Sequence, residues 1–198
     1  MKILDLGCGE KKVNGAIGLD NVQLPGVDVV HELLNFPYPF ESGSFNKIYL
    51  RHVIEHFSID EINLVLDECH RLLKENGQLI ITVPHVFSIS AFIDPTHKSY
   101  FTFGSGNFWD NQNSKAYYKS LKSNWKLIKT SCKVLWFDWK SYQMKKLDNF
   151  LSMKVEKRLN RALKSFMNPC KADRIVKKSS FHLVEVEWIF KNNNNNYN

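Results

Sequence analysis

No apolar run in this 198-residue chain approaches the ~18 residues that a membrane-spanning helix needs. The four cysteines, at positions 8, 69, 132 and 170, show neither a C-x-x-C pair nor a zinc spacing. That usage suits a reducing compartment. Met1 leads directly into a strand-like pattern with no room for a signal or transit peptide, so a cytoplasmic location is the expectation. Two phosphate-binding loops are missing as well. No Gly-Lys-Ser/Thr follows a glycine turn, which argues against a Walker-type loop. The third glycine of a dinucleotide fingerprint is also absent, because Lys12 stands three residues after Gly9.

At 43% hydrophobic and 13% aromatic residues, the chain can bury one sizeable core in a single domain. Its first twenty residues organise the rest. Lys2-Ile3-Leu4-Asp5-Leu6 has the look of a buried parallel strand, and it breaks into Gly7-Cys8-Gly9. The glycines permit backbone angles and a closeness of approach that a Cβ forbids. Ala16-Ile17-Gly18-Leu19 forms a second apolar run ending on Asp20, eleven residues after Gly9. A strand, a glycine turn, a second strand and a terminal acid describe a nucleoside site at the carboxyl edge of an open α/β sheet. The acid can accept both ribose hydroxyls.

These residues carry a resemblance. Asp5-Leu6-Gly7-Cys8-Gly9 resembles motif I of the class I S-adenosylmethionine-dependent methyltransferases. Phe45 to Tyr49 with His52-Val53-Ile54-Glu55-His56-Phe57, and Glu68 to Ile81, resemble further signatures of the methyltransferase type 11 branch. Val83-Pro84-His85 and Asp94-Pro95-Thr96-His97-Lys98 resemble a subgroup associated with sugar and glycan biosynthesis. The resemblance covers residues 1 to about 105. It implies a three-layer, doubly wound Rossmann-like α/β sheet, mostly parallel, with a C-terminal antiparallel strand pair. It also implies S-adenosylmethionine as cofactor, held by Asp5, Gly7, Cys8 and Gly9 of the turn and by Asp20 at the ribose. Glu32, after a third strand at Asp28–His31, is implied near the adenine amino group. Arg51 and His52, at the end of a fourth strand over 47–53, are implied beside the methionine part. Amine-methylating relatives often carry N/D-P-P-Y there, whereas this chain has Leu50-Arg51-His52-Val53.

His52 and His56 lie four apart and could share a helix face, but no third ligand stands nearby in sequence. Packing and capping of the next helix is therefore expected there, not a metal. Ile59, Ile62, Leu66, Cys69 and Leu73 recur at helical spacing over 58–74, and Asn76-Gly77 supplies a left-handed stop. A fifth strand follows over 78–83. From His85 to Trp109 come seven aromatics: Phe87, Phe92, Tyr100, Phe101, Phe103, Phe108 and Trp109. They either wall a substrate pocket or form core under a long loop. His97 could take a proton from a substrate hydroxyl, with Asp94 its companion in Asp-Pro-Thr-His, or it could be bonded to its own loop.

The last third reads as two closing strands, over 132–139 and 181–190, around a basic segment. From Lys140 to Lys178 twelve Lys and Arg face three Asp and Glu, a net +9 in a chain of net +7. Apolar residues there at steps of three and four describe an amphipathic helical insert over about 140–180. It would act as a lid, as a surface for an anionic substrate or membrane, or as a nucleic-acid arm. The single domain is expected over 1–191, and 192–198 is expected to be a disordered Asn-rich tail. The reading is an S-adenosylmethionine-dependent methyltransferase acting on a hydroxyl of a sugar, glycan or small metabolite. A nucleic-acid or protein methyltransferase, or a cofactor-binding partner subunit without turnover, stand as alternatives.

Overall fold

In the computed structural model, the described residues are 1–111, 122–138, 143–146 and 183–193, with Lys157, Asn160, Arg161 and Asp173. Five short apolar segments run parallel: β1 (Ile3–Leu6), β2 (Ile17–Asp20), β3 (Val29–Val30), β4 (Phe45–Arg51) and β5 (Leu73–Pro84). The sheet continues with three antiparallel neighbours, β6 (Trp125–Asp138), β7 (Gln143–Lys146) and β8 (Leu183–Asn192). The order is β3-β2-β1-β4-β5-β8-β6-β7. Strand order therefore reverses between β1 and β4, which leaves a crevice at their carboxyl ends where open α/β sheets hold ligands.

The long described helix, α1 (Ile59–Leu72), forms the β4–β5 crossover. Ser58 caps it: its Oγ accepts from the Glu61 N–H, and the Glu61 carboxylate accepts from the Ser58 N–H. Ile62, Val65, Leu66, Cys69 and Leu72 are buried along one stripe against the sheet. Asn76, at φ 61°, makes the left-handed stop inside the long first half of β5. Asn63 Oδ1 accepts the Trp109 indole N–H at 3.1 Å, which pins the far end of the 85–109 loop to α1. No described helix is long and apolar enough to cross a membrane.

The aromatics of that loop divide into a buried and an exposed group, and the buried ones form the core expected under a long loop. Phe101, Phe103 and Trp109 are core, packed with Trp188 of β8, whereas Phe87, Phe92 and Tyr100 are exposed. A short helix, α2 (Ser90–Ile93), carries Phe92 of the exposed group.

Three sequence expectations change at the carboxyl-terminal end. β6 begins at Trp125, seven residues earlier than the pattern over 132–139 indicates, because β8 offers it a full-length partner. Gln143–Lys146, expected to open the helical insert, form β7 against Leu135–Asp138, where the outer edge of β6 offers unpaired backbone groups. Asn192, expected to begin the tail, is fully buried and closes β8. Its Nδ2 donates to the carbonyls of His70, Leu73 and Lys74, which lie at the end of α1. Except at these residues and the four isolated ones, the basic insert lies outside the described residues, as does 194–198. Asn160 meets both backbone groups of Cys132, and Asp173 Oδ1 accepts from the Phe103 N–H.

Candidate active site

Gly7 and Gly9 adopt φ of 63° and 51°, angles that favour glycine. A Cβ on Gly7 would lie 2.5 Å from Val53 Cγ2, so the turn after β1 presses directly on the chain leaving β4. At Gly9, by contrast, no atom stands within 4 Å of where a Cβ would be. That backbone faces open space, as a surface for a nucleoside must. Cys8 is buried, and its thiol is pushed up from its ordinary value by burial and by the charges of Asp5 and Asp20. It can offer a ligand its backbone, not a thiolate.

Asp20 closes β2 at the rim of the turn. Its Oδ2 accepts from the Gly9 N–H at 2.8 Å and its Oδ1 from the Val22 N–H at 3.3 Å. Each carboxylate oxygen keeps a further lone pair, enough for two vicinal hydroxyls. The open backbone at Gly9 and this carboxylate fit the ribose end of S-adenosylmethionine. Hydrogen bonds to charged groups contribute about 1.5–3 kcal/mol. Asp20→Ala is therefore expected to weaken cofactor binding tenfold to a hundredfold by calorimetry. Unchanged affinity in a folded variant would remove the ribose assignment. Glu32 is exposed beyond β3, where its Oε2 accepts from the Asn21 side chain at 3.3 Å. It stands one strand outward from Asp20, on the same sheet edge.

Asp5 and Arg51 serve the site from beneath. Asp5 is fully buried; its Oδ2 accepts from the Val13 N–H and from Arg51 Nη2, both at 2.7 Å. Arg51 also donates to the Lys11 carbonyl at 2.6 Å. Their charges are paired with one another and with the 7–13 loop, and through these bonds they shape the turn.

His52 lies at φ 57°, in the left-handed region, where the chain turns off β4. Its Nε2 is 3.1 Å from Glu185 of β8 and its Nδ1 is 3.3 Å from Glu55. Burial opposes its charge, but the two carboxylates outweigh burial and push its pKa up to about 9. It is an imidazolium at neutral pH, bridging β4 to β8.

His97 and Asp94 come to the same edge from the loop after β5. His97 Nδ1 lies 2.9 Å from the Ala91 carbonyl, so Nδ1 carries the proton and Nε2 keeps a lone pair. Asp94 does not face outward as an acid. Its Oδ1 accepts from the Thr96 hydroxyl at 2.6 Å and the Thr96 N–H at 2.8 Å, and these bonds hold its carboxyl below the usual range. It closes the loop that presents His97.

Sequence reasoning missed the partners of this loop. The N–H groups of Lys98 and Ser99 donate to the Glu55 carbonyl, and Ser99 Oγ donates to the Phe57 carbonyl. The loop is thereby clamped onto the 3-10 turn Ile54–His56. Glu55, named in the sequence only within the stretch His52 to Phe57 that carries the resemblance, becomes a buried carboxylate beside His56 and His97. His85, also buried, accepts from the Phe87 N–H at Nδ1 and donates from Nε2 to Asp173 at 2.9 Å.

The family described as Methyltransferase domain matches residues 4–81, a span that runs from β1 into β5 and includes Asp5, Gly7, Gly9, Asp20, Glu32, Arg51 and His52. Among solved structures, an S-adenosylmethionine-dependent methyltransferase from Archaeoglobus fulgidus is similar at 19% identity and TM-score 0.55, covering 96% of this chain and 85% of that one. One from Methanosarcina mazei aligns at 11% identity and TM-score 0.53, over 97% of this chain and 92% of its own. The YcgJ protein of Bacillus subtilis aligns at 14% identity and TM-score 0.51, over 97% and 92%. No curated protein matches the sequence. The family match over 4–81, about two fifths of the chain, and the shared fold of these solved structures make the protein similar to the S-adenosylmethionine-dependent methyltransferases.

Proposed function

We propose that the protein methylates a hydroxyl oxygen of a sugar, glycan or small metabolite. The observation that carries this reading is the Nε2 lone pair of His97, left over when Nδ1 is tied to the Ala91 carbonyl at the carboxyl edge of the sheet. S-adenosylmethionine supplies a methyl group already activated on its sulfonium. The chain has to align the acceptor and receive a hydroxyl proton. Orientation can lower the barrier by about 7–11 kcal/mol, and a positioned proton acceptor adds roughly 10²–10⁴-fold in rate.

Two further features support a hydroxyl acceptor. The end of β4 offers the His52 imidazolium where an amine-methylating site would place carbonyl or amide acceptors for an N–H. Beside α2, a cavity of about 420 Å³ is lined by Val86, Phe87, Ser88, Ile89 and Phe92. Phe92 stacks on Tyr100 with ring centroids 5.1 Å apart, and both are exposed, a flat apolar platform of the kind that sugar rings cover.

The test is methyl transfer from labelled S-adenosylmethionine to a panel of hydroxylated sugars, glycans and metabolites. Label is expected in a product that withstands mild base, as an ether does and an ester does not. Label in RNA instead, lost steeply with salt, would favour a nucleic-acid acceptor recruited by the basic segment.

A further inference from the structure

We propose that Glu55, His56 and His97 form a binding site for one divalent transition-metal ion of the zinc type. Ligand atoms of the three residues lie within 4.8 Å of one another, although His97 comes 41 residues after His56. The sequence shows no third ligand near the histidine pair. The fold supplies it, and not to His52, which is occupied by Glu55 and Glu185.

The hydrogen bonds fix what each group presents. The Thr96 hydroxyl donates to Asp94 at 2.6 Å, so it can only accept from His56 Nδ1, which lies 2.9 Å away. His97 Nδ1 is likewise bound to the Ala91 carbonyl. Both rings therefore carry their proton on Nδ1 and hold a lone pair on Nε2. The rings meet edge to face with centroids 4.8 Å apart. Glu55 is 0% exposed, and neither of its oxygens accepts a well-aligned hydrogen bond from a described residue. His52 Nδ1 lies 3.3 Å from its Oε1, which leaves Oε2 for an ion.

Three lone-pair groups so gathered repel one another unless a cation stands among them. Each histidine also has the outer hydrogen bond, to Thr96 or to Ala91, that typically orients a metal-binding imidazole. Two imidazoles and one carboxylate suit zinc-like ions better than magnesium or calcium. A tetrahedral shell with Zn–N near 2.0–2.1 Å needs ligand atoms about 3.3 Å apart, which small side-chain rotations can reach. Three protein ligands leave a fourth position open. The proposal deepens the O-methylation reading and rests on it only for the occupant of that position, an acceptor hydroxyl. His97 then acts on the hydroxyl through the ion, its Nε2 lone pair spent as a ligand and not on the proton itself. A coordinated hydroxyl would lose its proton to solvent more readily, and its oxygen electron pair would form the O–CH₃ bond as the S–CH₃ bond of the sulfonium breaks and leaves the neutral thioether S-adenosylhomocysteine.

The experiment uses the purified chain, stripped with a chelator, dialysed and titrated with Zn²⁺ by calorimetry and with Co²⁺ by visible absorption. One ion per chain is expected. His56→Ala and His97→Ala should each lower affinity by about a hundredfold or more, and Thr96→Val, which frees the His56 ring, by roughly 10–100-fold. Circular dichroism shows that each variant is folded, and Thr96→Val carries the test should a histidine variant not fold. Absence of saturable binding overturns the proposal, as does one-ion binding unchanged in the double variant His56→Ala/His97→Ala. Hydroxyl methylation by ion-free protein overturns the metal site and leaves the O-methylation reading intact. Histidine-dependent binding of one ion, with methyl transfer to amines alone, supports the site and overturns that reading.

Discussion

Replacing His97 by asparagine is expected to lower kcat by about 10²–10⁴-fold while leaving S-adenosylmethionine affinity unchanged. Asparagine is chosen because its side-chain NH₂ can still donate to the Ala91 carbonyl, the bond that His97 Nδ1 makes. The loop 94–99 would keep its clamp on Glu55 and Phe57, which is made by backbone groups and Ser99. What asparagine cannot present is the second nitrogen lone pair on the far side of the ring. The loss corresponds to about 2.7–5.5 kcal/mol of barrier. It should be read as kcat at saturating cofactor and acceptor, beside a calorimetric titration of the cofactor. A near-normal rate from pH 6 to 9 would make His97 a structural residue and leave alignment as the source of the catalysis.

Arg51→Met is expected to destabilise the fold by about 3 kcal/mol. Asp5 is fully buried, and with Arg51 gone its carboxylate would keep only the Val13 N–H. An orphaned buried charge typically costs about 3–5 kcal/mol; the lower end applies because Arg51 is itself partly exposed. For a chain of this size that is a fall in melting temperature of roughly 6–12 °C. The double variant Asp5→Asn/Arg51→Met should recover part of the loss, since asparagine carries no charge and can still accept from Val13. Cofactor affinity should fall in the single variant too, because the 7–13 loop is tied down through Lys11 and Val13. An unchanged melting temperature would mean that water serves Asp5 as well as Arg51 does.

The glycine turn and the carboxylate at the end of β2 were legible in the sequence because their determinants are local. Gly7, Gly9 and Asp20 sit within fourteen residues of one another, and the angles and the carboxylate they supply are properties of those residue types. The parallel strands were equally legible, because a strand buried on both faces must be apolar throughout. Their ends were less so: β3 is two residues long, and β6 extends to Trp125, since strand length depends on the partner's backbone and not on the strand's own pattern.

Tertiary structure alone decided which charged and imidazole groups remain available at the carboxyl edge. Asp5 and Arg51 carry charges that look available in the sequence, and folding spends them on each other across 46 residues. His52 and His56 look like a pair at helical spacing; a left-handed turn at His52 sends one ring to Glu185 and leaves the other for His97. Asn192 looks like the start of a polar tail, yet the carbonyls of His70, Leu73 and Lys74, where α1 passes into β5, hold its amide in the core. Motif residues held by one turn of chain declare themselves through backbone chemistry. A cluster assembled from β4, the turn after it and the loop after β5 depends on which lone pairs remain once every other hydrogen bond is made, and only the folded chain determines that.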